Sequence, residues 1–495
     1  MKHILLLVLV LQGLYPVQLV EAQDRPNILI LFLDDLDPDF GCYGNELVTT
    51  PNIDRLASQG VRFTRAYASG TVCSPSHTSL FTGCYASTIG APNHRSHYID
   101  TLPEGCHILT ELMSEAGYFT VNFKSNGDRM YNKLYGATAK TDLNFDRGKP
   151  ENNQESGKEV FDHLQIIDPI DISTYFKGGV WSQRKNTQPF FAYANIETGK
   201  KHGFEPGRKW AIEKGIEVDP AEVDVPPHYY DNEEVRLVLA SALDAVSHTD
   251  VEVGKFLDAL ELSNLDRDTL VILLSDHGAT LPRHKQNLWL TGIHVPLIMR
   301  WPGNLDAGAV NGELASIIDI APTVLSAAKV CVPPTMEGLN LLADVSSREY
   351  VVATRDGMNG VFDCSRAIVT KKYQYIHHFF PEIPYRANHY ARKVVSFESM
   401  AQLHEEGELN ALQAVYYASE KEPVELYDLE ADELQTRNLA TDPEYVGVLR
   451  KMRRTLFKWQ NSSGDQVMDA RGILSEEKVP FGTKIDELLS KDSSK

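Results

Sequence analysis

Behind Asn27 the chain is apolar without a break from Ile28 to Leu33, and further strand-like runs follow at 61–67, 189–196, 270–275 and 295–299. Between them the apolar positions shift to helical spacing. Thr50-Pro51 can cap and start a helix whose inner face is Ile53, Leu56 and Ala57, with Gly60 at its end. The same spacing marks 108–115 before Gly117 and the long stretch 233–262. Strand runs alternating with amphipathic helices predict an α/β domain with a largely parallel sheet.

After about residue 345 the pattern turns β-rich at 350–354 and 367–379, ahead of a helical stretch near 401–418. The expected organisation is a large domain over 23–345, a smaller domain over 346–474 and a charged tail over 475–495. Segments 146–188 and 198–231 are polar, irregular and long, which marks them as substrate-facing loops rather than simple connectors. Residues 1–22 read as a cleavable export signal: Lys2 and His3, an apolar run over 4–11, then a stretch ending Val20-Glu21-Ala22. Gln12, Gly13, Tyr15, Pro16 and Gln18 cut that run short of the roughly 20 apolar residues an anchor requires. The expected mature protein begins after Ala22, has no membrane partner and lies in a secreted, periplasmic or lysosomal-type exported compartment.

The chain of 495 residues carries a formal net charge of -20, and loss of the signal leaves it unchanged because Lys2 and Glu21 go together. Such a charge disfavours nucleic acid as a partner and repels any polyanion globally. An anionic substrate would therefore need cations clustered at its site. Cys42, Cys73, Cys84, Cys106, Cys331 and Cys364 are too few for a disulfide scaffold, and no CxxC pair suggests zinc.

The run 27–33 ends in Asp34-Asp35 and the run 270–275 ends in Asp276-His277-Gly278. Two adjacent carboxylates repel unless a cation lies between them or one takes up a proton. With Asp276 and His277 they offer mostly oxygen ligands, which favours calcium over zinc. A solvated turn or helix cap is the alternative for Asp34-Asp35 alone; Asp276 at the end of a second strand argues for a metal site. Cys73 lies in Cys73-Ser74-Pro75-Ser76-His77-Thr78-Ser79-Leu80-Phe81-Thr82-Gly83, after a strand and a loop. A helix opening at Ser76 would there favour a bound anion.

The Cys73 segment resembles the signature of type I sulfatases, in which a cysteine is oxidised to formylglycine. Residues 25–35, 50–57, 276–278 and Glu425-Leu426-Tyr427-Asp428-Leu429 resemble that family's landmarks in the same order, closest to its heparan N-sulfatase and glycan sulfatase branch. The resemblance implies an alkaline-phosphatase-like α/β sandwich: a large mixed, mostly parallel sheet flanked by helices, plus a smaller α+β C-terminal domain. It implies one calcium ion held by Asp34, Asp35, Asp276, His277 and the modified Cys73. It also implies attack on sulfur by the hydrated aldehyde, expulsion of the alcohol and release of sulfate. The implied partners are a sulfated carbohydrate such as a glycosaminoglycan, carrying an O-sulfate or an N-sulfate, and a formylglycine-generating maturation enzyme.

The same resemblance supplies further candidates. Lys140, within Ala139-Lys140-Thr141-Asp142-Leu143-Asn144-Phe145, resembles a sulfate-contacting lysine of the glycan branch, with Lys124 as the fallback. His202 falls where the family has a histidine that can protonate the leaving oxygen, and a surface histidine is the alternative. Lys285 occupies a cation position with Arg283 beside it, and His94 and Arg95 resemble substrate-facing residues. His77 departs from the pattern. The family has arginine there, serving both recognition by the maturation enzyme and stabilisation of the modified residue. A histidinium can donate to an aldehyde hydrate but lacks the planar fork and permanent charge of guanidinium. His77 thus motivates an alternative, a catalytically silent protein that binds sulfated glycans. Another is a phosphoester or phosphonate hydrolase of the same fold, against which Cys73 speaks because phosphatases of this fold use Ser or Thr.

Overall fold

The structure is a computed structural model and describes residues 25–94, 102–124, 165–167, 188–199, 204–343, 347–358, 361, 363–387 and 398–465. The first ten strands are β1 (Asn27–Leu33), β2 (Val61–Phe63), β3 (Ala66–Tyr67), β4 (Phe119–Lys124), β5 (Gln165–Ile167), β6 (Phe190–Ile196), β7 (Thr269–Ser275), β8 (Leu297–Arg300), β9 (Ala309–Asn311) and β10 (Ala315–Ser316). All but β3 and β10 join one sheet in the order β5-β4-β6-β1-β7-β8-β2-β9. Among these strands only β8 runs antiparallel to its neighbours, β7 and β2.

The unbroken apolar run of β1 follows from burial on both faces. Ile28, Ile30 and Phe32, with Leu270, Ile272 and Leu274 of β7, pack against Leu80 and Phe81 and against Ile320 and Val324 of the helix Ile320–Ala327. Leu29, Leu31 and Leu33 pack on the other side with Ile53 and Leu56 of α1 (Pro51–Ser58) and with Val253, Phe256 and Leu257 of the helix Glu233–Leu262. Leu80 and Phe81 belong to α2 (Cys73–Thr82). The central strands β1 and β7 lie in the middle of this sandwich, and their carboxyl ends are where polar side chains first become possible.

A second, antiparallel sheet consists of β11 (Val351–Arg355), β12 (Ser365–Val369), β13 (Tyr373–His378) and β14 (Val424–Asp428) in that order. Ile368, Tyr375 and Leu426 join the same core as β1, together with Leu449, Met452 and Leu456 of the helix Val446–Ser463.

Several sequence expectations are redrawn. The helix carrying Cys73 begins at Cys73 itself, with Val72 as its extended cap, rather than at Ser76. The run 61–67 splits at Thr64 and Arg65, because β2 pairs with β8 and β9 while β3 pairs with β10 in a separate ladder. The run 367–379 starts earlier and folds back at Thr370, whose hydroxyl accepts from the Lys372 and Tyr373 amides. The stretch 401–418 is interrupted by Gly407 at φ +76, and Asn410 with Gln413 then forms a capping box that restarts a helix. Much of 198–231 is folded: the helix Glu205–Lys214 lies here, and Phe204, Val218, Val223 and Tyr229 pack on Val235 and Leu239. Within 146–188 only β5 and Gln188 are described; residues 1–22 and the tail from Ser475 lie outside the described residues.

Candidate active site

Parallel pairing of β1 with β7 sets Leu33 beside Ser275, so the two acidic turns leave the sheet together. The Asp276 amide donates to Leu33 O at 3.1 Å, and the Asp35 amide donates to Asp276 Oδ1 at 2.8 Å. Asp35 adopts a left-handed backbone (φ 57), which an aspartate tolerates better than most residues. Gly278 is required sterically, since a Cβ there would lie 1.9 Å from Thr291 O.

Cys73, in the first turn of α2, faces these turns. Its Sγ is 3.4 Å from His277 Nε2, 3.6 Å from Lys285 Nζ and 3.8 Å from Asp35 Oδ1. Lys285 Nζ donates to Asp35 Oδ2 at 2.7 Å, and the Thr280 hydroxyl donates to the same oxygen at 2.6 Å. His277 Nε2 lies 3.1 Å from Asp276 Oδ2 and 3.5 Å from Asp35 Oδ1. Asp35, Cys73, Asp276 and His277 present ligand atoms within 4.8 Å of one another, and all are buried. Asp34 lies outside that set, with its Oδ2 3.5 Å from Asn195 Nδ2 at the end of β6.

The chemistry of this set calls for positive charge. His277 Nδ1 is 2.9 Å from Gly278 O; a carbonyl only accepts, so Nδ1 carries the proton and Nε2 faces the carboxylates. Burial opposes a charged imidazole, yet Asp276 and then Asp35 hold the His277 pKa well above its ordinary value against the Lys285 charge. A divalent cation at the same point would take over that role and use the Nε2 lone pair.

The loop carrying Lys285 is tied from several directions. Arg283 and Gln286 take positive φ on either side of it (68 and 74). The Gln286 amide donates to Thr71 O at 2.8 Å, next to the start of α2. His284 Nδ1 meets Asp37 Oδ2 at 2.7 Å, and Asp37 Oδ1 accepts from the Ala279 amide. Asn287 Nδ2 donates to Lys285 O while its Oδ1 accepts from Arg355 Nη1 at 3.1 Å, which joins the loop to β11. Thr280, His284, Asp37 and Asn287 were not singled out from sequence. Asp37 could have been flagged as a third acid behind Asp34-Asp35, whereas the others sit on a loop with no period to mark them.

The structure therefore brings together Asp35, Cys73, Asp276, His277 and Lys285, with Asp34 adjacent in the chain. His77 reaches residue 73 through its backbone: Nδ1 donates to Cys73 O at 2.8 Å, and the ring packs edge-on to Phe32 with centroids 4.7 Å apart. Arg283, expected to face substrate, is 3% exposed; its guanidinium stacks 4.1 Å over Trp289 and donates to Gln435 O. His94 is half-buried, and its amide donates to Gly357 O near β11. Lys124 ends β4 beside Asn195. Arg95, Lys140 and His202 lie outside the described residues.

Residues 26–330 match the family model described as Sulfatase, and residues 283–386 match one described as N-sulphoglucosamine sulphohydrolase, C-terminal. An ulvan-active sulfatase from Formosa agariphila is 27% identical over 490 residues, covering 90% of this chain and 76% of that protein. Human N-sulphoglucosamine sulphohydrolase is 26% identical over 505 residues, covering 93% and 95%. Among solved structures, the phosphonate monoester hydrolase of Agrobacterium radiobacter superposes with a TM-score of 0.63 at 17% identity, covering 89% and 96%. At that identity the likeness speaks for the fold, which is the alkaline-phosphatase-like arrangement expected from the sequence.

Proposed function

The chain belongs to the sulfatase family of sulfuric ester hydrolases, and on that premise we propose that it removes sulfate groups from a sulfated carbohydrate, with formylglycine made from Cys73 and one calcium ion. The observation that carries this reading is the approach of His277, Lys285 and Asp35 to Cys73 Sγ, each within 3.8 Å. A carbohydrate substrate is supported by the relatives, one named for ulvan and one for N-sulphoglucosamine. Their two chemistries leave O-sulfate and N-sulfate both within the proposal.

The residues present fit a hard cation. Asp276 Oδ2 is buried and faces His277 Nε2 at 3.1 Å, so a metal in place of the imidazole proton would find both an oxygen and a nitrogen at the point where the ligand set converges. Asp35 Oδ1 and His277 Nε2 complete the protein's share, with Asp34 as the further carboxylate of the pair. The thiol of Cys73 is the poor member of the set for calcium; an oxidised residue 73 would present oxygen from the same place. Calcium there would supply positive charge to a sulfate oxygen and to residue 73. Formylglycine, once hydrated, would supply a hydroxyl able to attack sulfur.

The chain's own groups do the rest. Lys285 holds its ammonium against both Asp35 and residue 73, where negative charge gathers as the bond to sulfur changes hands. The start of α2 adds the partial positive charge of its amides. Thr280 helps orient the Asp35 carboxylate, since its hydroxyl donates to Oδ2 at 2.6 Å. His202 is assigned to protonate the leaving oxygen or nitrogen, and Lys140 to contact sulfate. Export through residues 1–22 and conversion of Cys73 by a maturation enzyme belong to the same proposal.

The test is mass spectrometry of the Cys73 peptide from exported protein, paired with assays of sulfate and phosphate ester hydrolysis. An aldehyde at residue 73 with sulfate release is expected. Unmodified cysteine with glycan binding and no release would replace the proposal by a binding protein, and preference for phosphorus esters would replace it by a hydrolase of the other kind.

A further inference from the structure

Cys84 and Cys106 meet beyond the far end of α2 from Cys73. Cys84 follows Gly83, the left-handed cap of α2, and Cys106 lies just before α3 (Leu109–Glu115). Both pack in a small cluster with Ile89, Ala91 and Leu102. The two side chains share this cluster, and each thiol is the leading influence on the pKa of the other, so they are close neighbours. Thr335 braces the pair from one side: its carbonyl is 3.2 Å from Cys84 Sγ, and its hydroxyl donates to Gly105 O at 2.7 Å.

We propose that Cys84 and Cys106 form a disulfide in the exported protein, closing the loop 84–106 that carries His94 and Arg95. The inference rests on the export reading and is independent of the desulfation chemistry. The other end of the segment is held by protein alone, through His94 N to Gly357 O and Gly357 N to Asn93 Oδ1, each 2.8 Å. A covalent base would thus complete the fixation of a loop anchored between α2 and the second sheet. Disulfides of this kind form where the compartment is oxidising.

The reaction is thiol–disulfide exchange with the disulfide of an exported thiol oxidoreductase as oxidant. Cys106 is half-buried and Cys84 fully buried. The neighbouring Cys106, and burial after it, push the Cys84 thiol up, while the neighbouring Cys84 lowers Cys106. Cys106, as thiolate, attacks one oxidoreductase sulfur and expels the other as thiolate. Cys84 then loses its proton to solvent and attacks Cys106, expelling the first oxidoreductase sulfur. Two electrons pass to the oxidoreductase, which is left as a dithiol.

The test is peptide mapping of denatured, exported protein, alkylated without a reductant. A linked peptide pair joining residues 84 and 106, lighter by two hydrogens than the sum of the free peptides, is expected. Cys331, which is exposed, should be alkylated in the same sample as the internal control. In Cys106→Ser protein, Cys84 should become alkylated, and wild type should melt at a lower temperature after reduction. Alkylated Cys84 and Cys106 with no linked pair in the wild type would overturn the proposal. That result would leave the aldehyde test at residue 73 untouched.

Discussion

Lys285 and Asp35 form an enclosed ion pair, with Nζ 2.7 Å from Oδ2 and neither side chain more than 1% exposed. The pair joins a loop after β7 to the turn after β1, and the same ammonium lies 3.6 Å from Cys73 Sγ. Buried charges of this kind are costly to separate, because the partner left behind has no water to turn to. Here the cost falls on a site that already gathers two further acids, Asp34 and Asp276.

Lys285→Met should lower kcat/KM by roughly 10²–10³, the usual loss when a group that stabilises developing charge is removed. It should also destabilise the fold by about 3–5 kcal/mol in the absence of metal. With calcium present, part of the Asp35 charge is neutralised and the loss should shrink. Thermal melts of both proteins with calcium and with a chelator check this. Equal losses in the two conditions would count against a cation beside Asp35.

His77→Arg tests the departure from the family pattern. His77 is 2% exposed and enclosed by Phe32 and Tyr193, with ring centroids 4.7 and 6.4 Å away. A longer side chain must displace that packing, at about 1–3 kcal/mol. The fraction of residue 73 found as aldehyde should nevertheless stay the same or rise, since arginine is what the family presents. A lower aldehyde fraction in the folded variant would mean that the maturation enzyme reads His77 itself.

The strands that bear the site were legible because buried parallel strands are written as apolar runs, and the acids at their ends interrupt that pattern abruptly. Asp34-Asp35 and Asp276-His277 stood out for this reason, as did Glu233–Leu262, whose helical period is long enough to average over exceptions. Arg283 and Lys285 are two residues apart and both cationic, so nothing in the chain separates their fates. The fold does so through Trp289, which takes the Arg283 guanidinium. Thr280 and Asn287 escape notice because their partners, Asp35 and Arg355, are remote in sequence. The break between β12 and β13 was hidden by the strong β pattern on both sides, although Lys371-Lys372 marks the turn in retrospect.

Acidity should act on stability through Asp356. Arg366 pairs with Asp356 at 3.0 Å and with Asp465 at 2.9 Å, all buried, so one cation serves two acids. Burial, aided by the Asp465 charge and opposed by Arg366, pushes Asp356 up to about 7 from an ordinary 3.8. The folded state therefore holds this proton more tightly than the unfolded chain. The resulting stability is complete below about pH 4 and is lost as the pH rises through about 7. Asp356→Asn should gain on the wild type across that interval by at most about 4 kcal/mol. Melting curves at pH 4 to 8 would refute this if the two proteins ran parallel.

Glu425, in the Glu425-Leu426-Tyr427-Asp428-Leu429 motif, links the second sheet to the Lys285 loop. Its Oε2 accepts from Trp289 Nε1 at 2.9 Å and from the Tyr427 hydroxyl; its Oε1 accepts from Tyr385 and faces His378 Nε2 at 2.7 Å. Burial works to raise its pKa, but His378, Tyr385 and Tyr427 hold it down to about 2 from an ordinary 4.5. The carboxylate thus contributes stability that is present above pH 4.5 and is lost as the pH falls toward 2. Glu425→Gln replaces an acceptor oxygen by an amide that faces donors, and at least one of them loses its partner at about 3 kcal/mol. That deficit should be full at pH 7 and should narrow below pH 4.5, because the wild type loses there what the variant never had. Trp289 is also the platform under Arg283, so a fall in kcat/KM should accompany the loss as the loop relaxes. A stability gap that stays constant from pH 7 to 3 would show that Glu425 is not held as an anion, and its motif would then need another explanation.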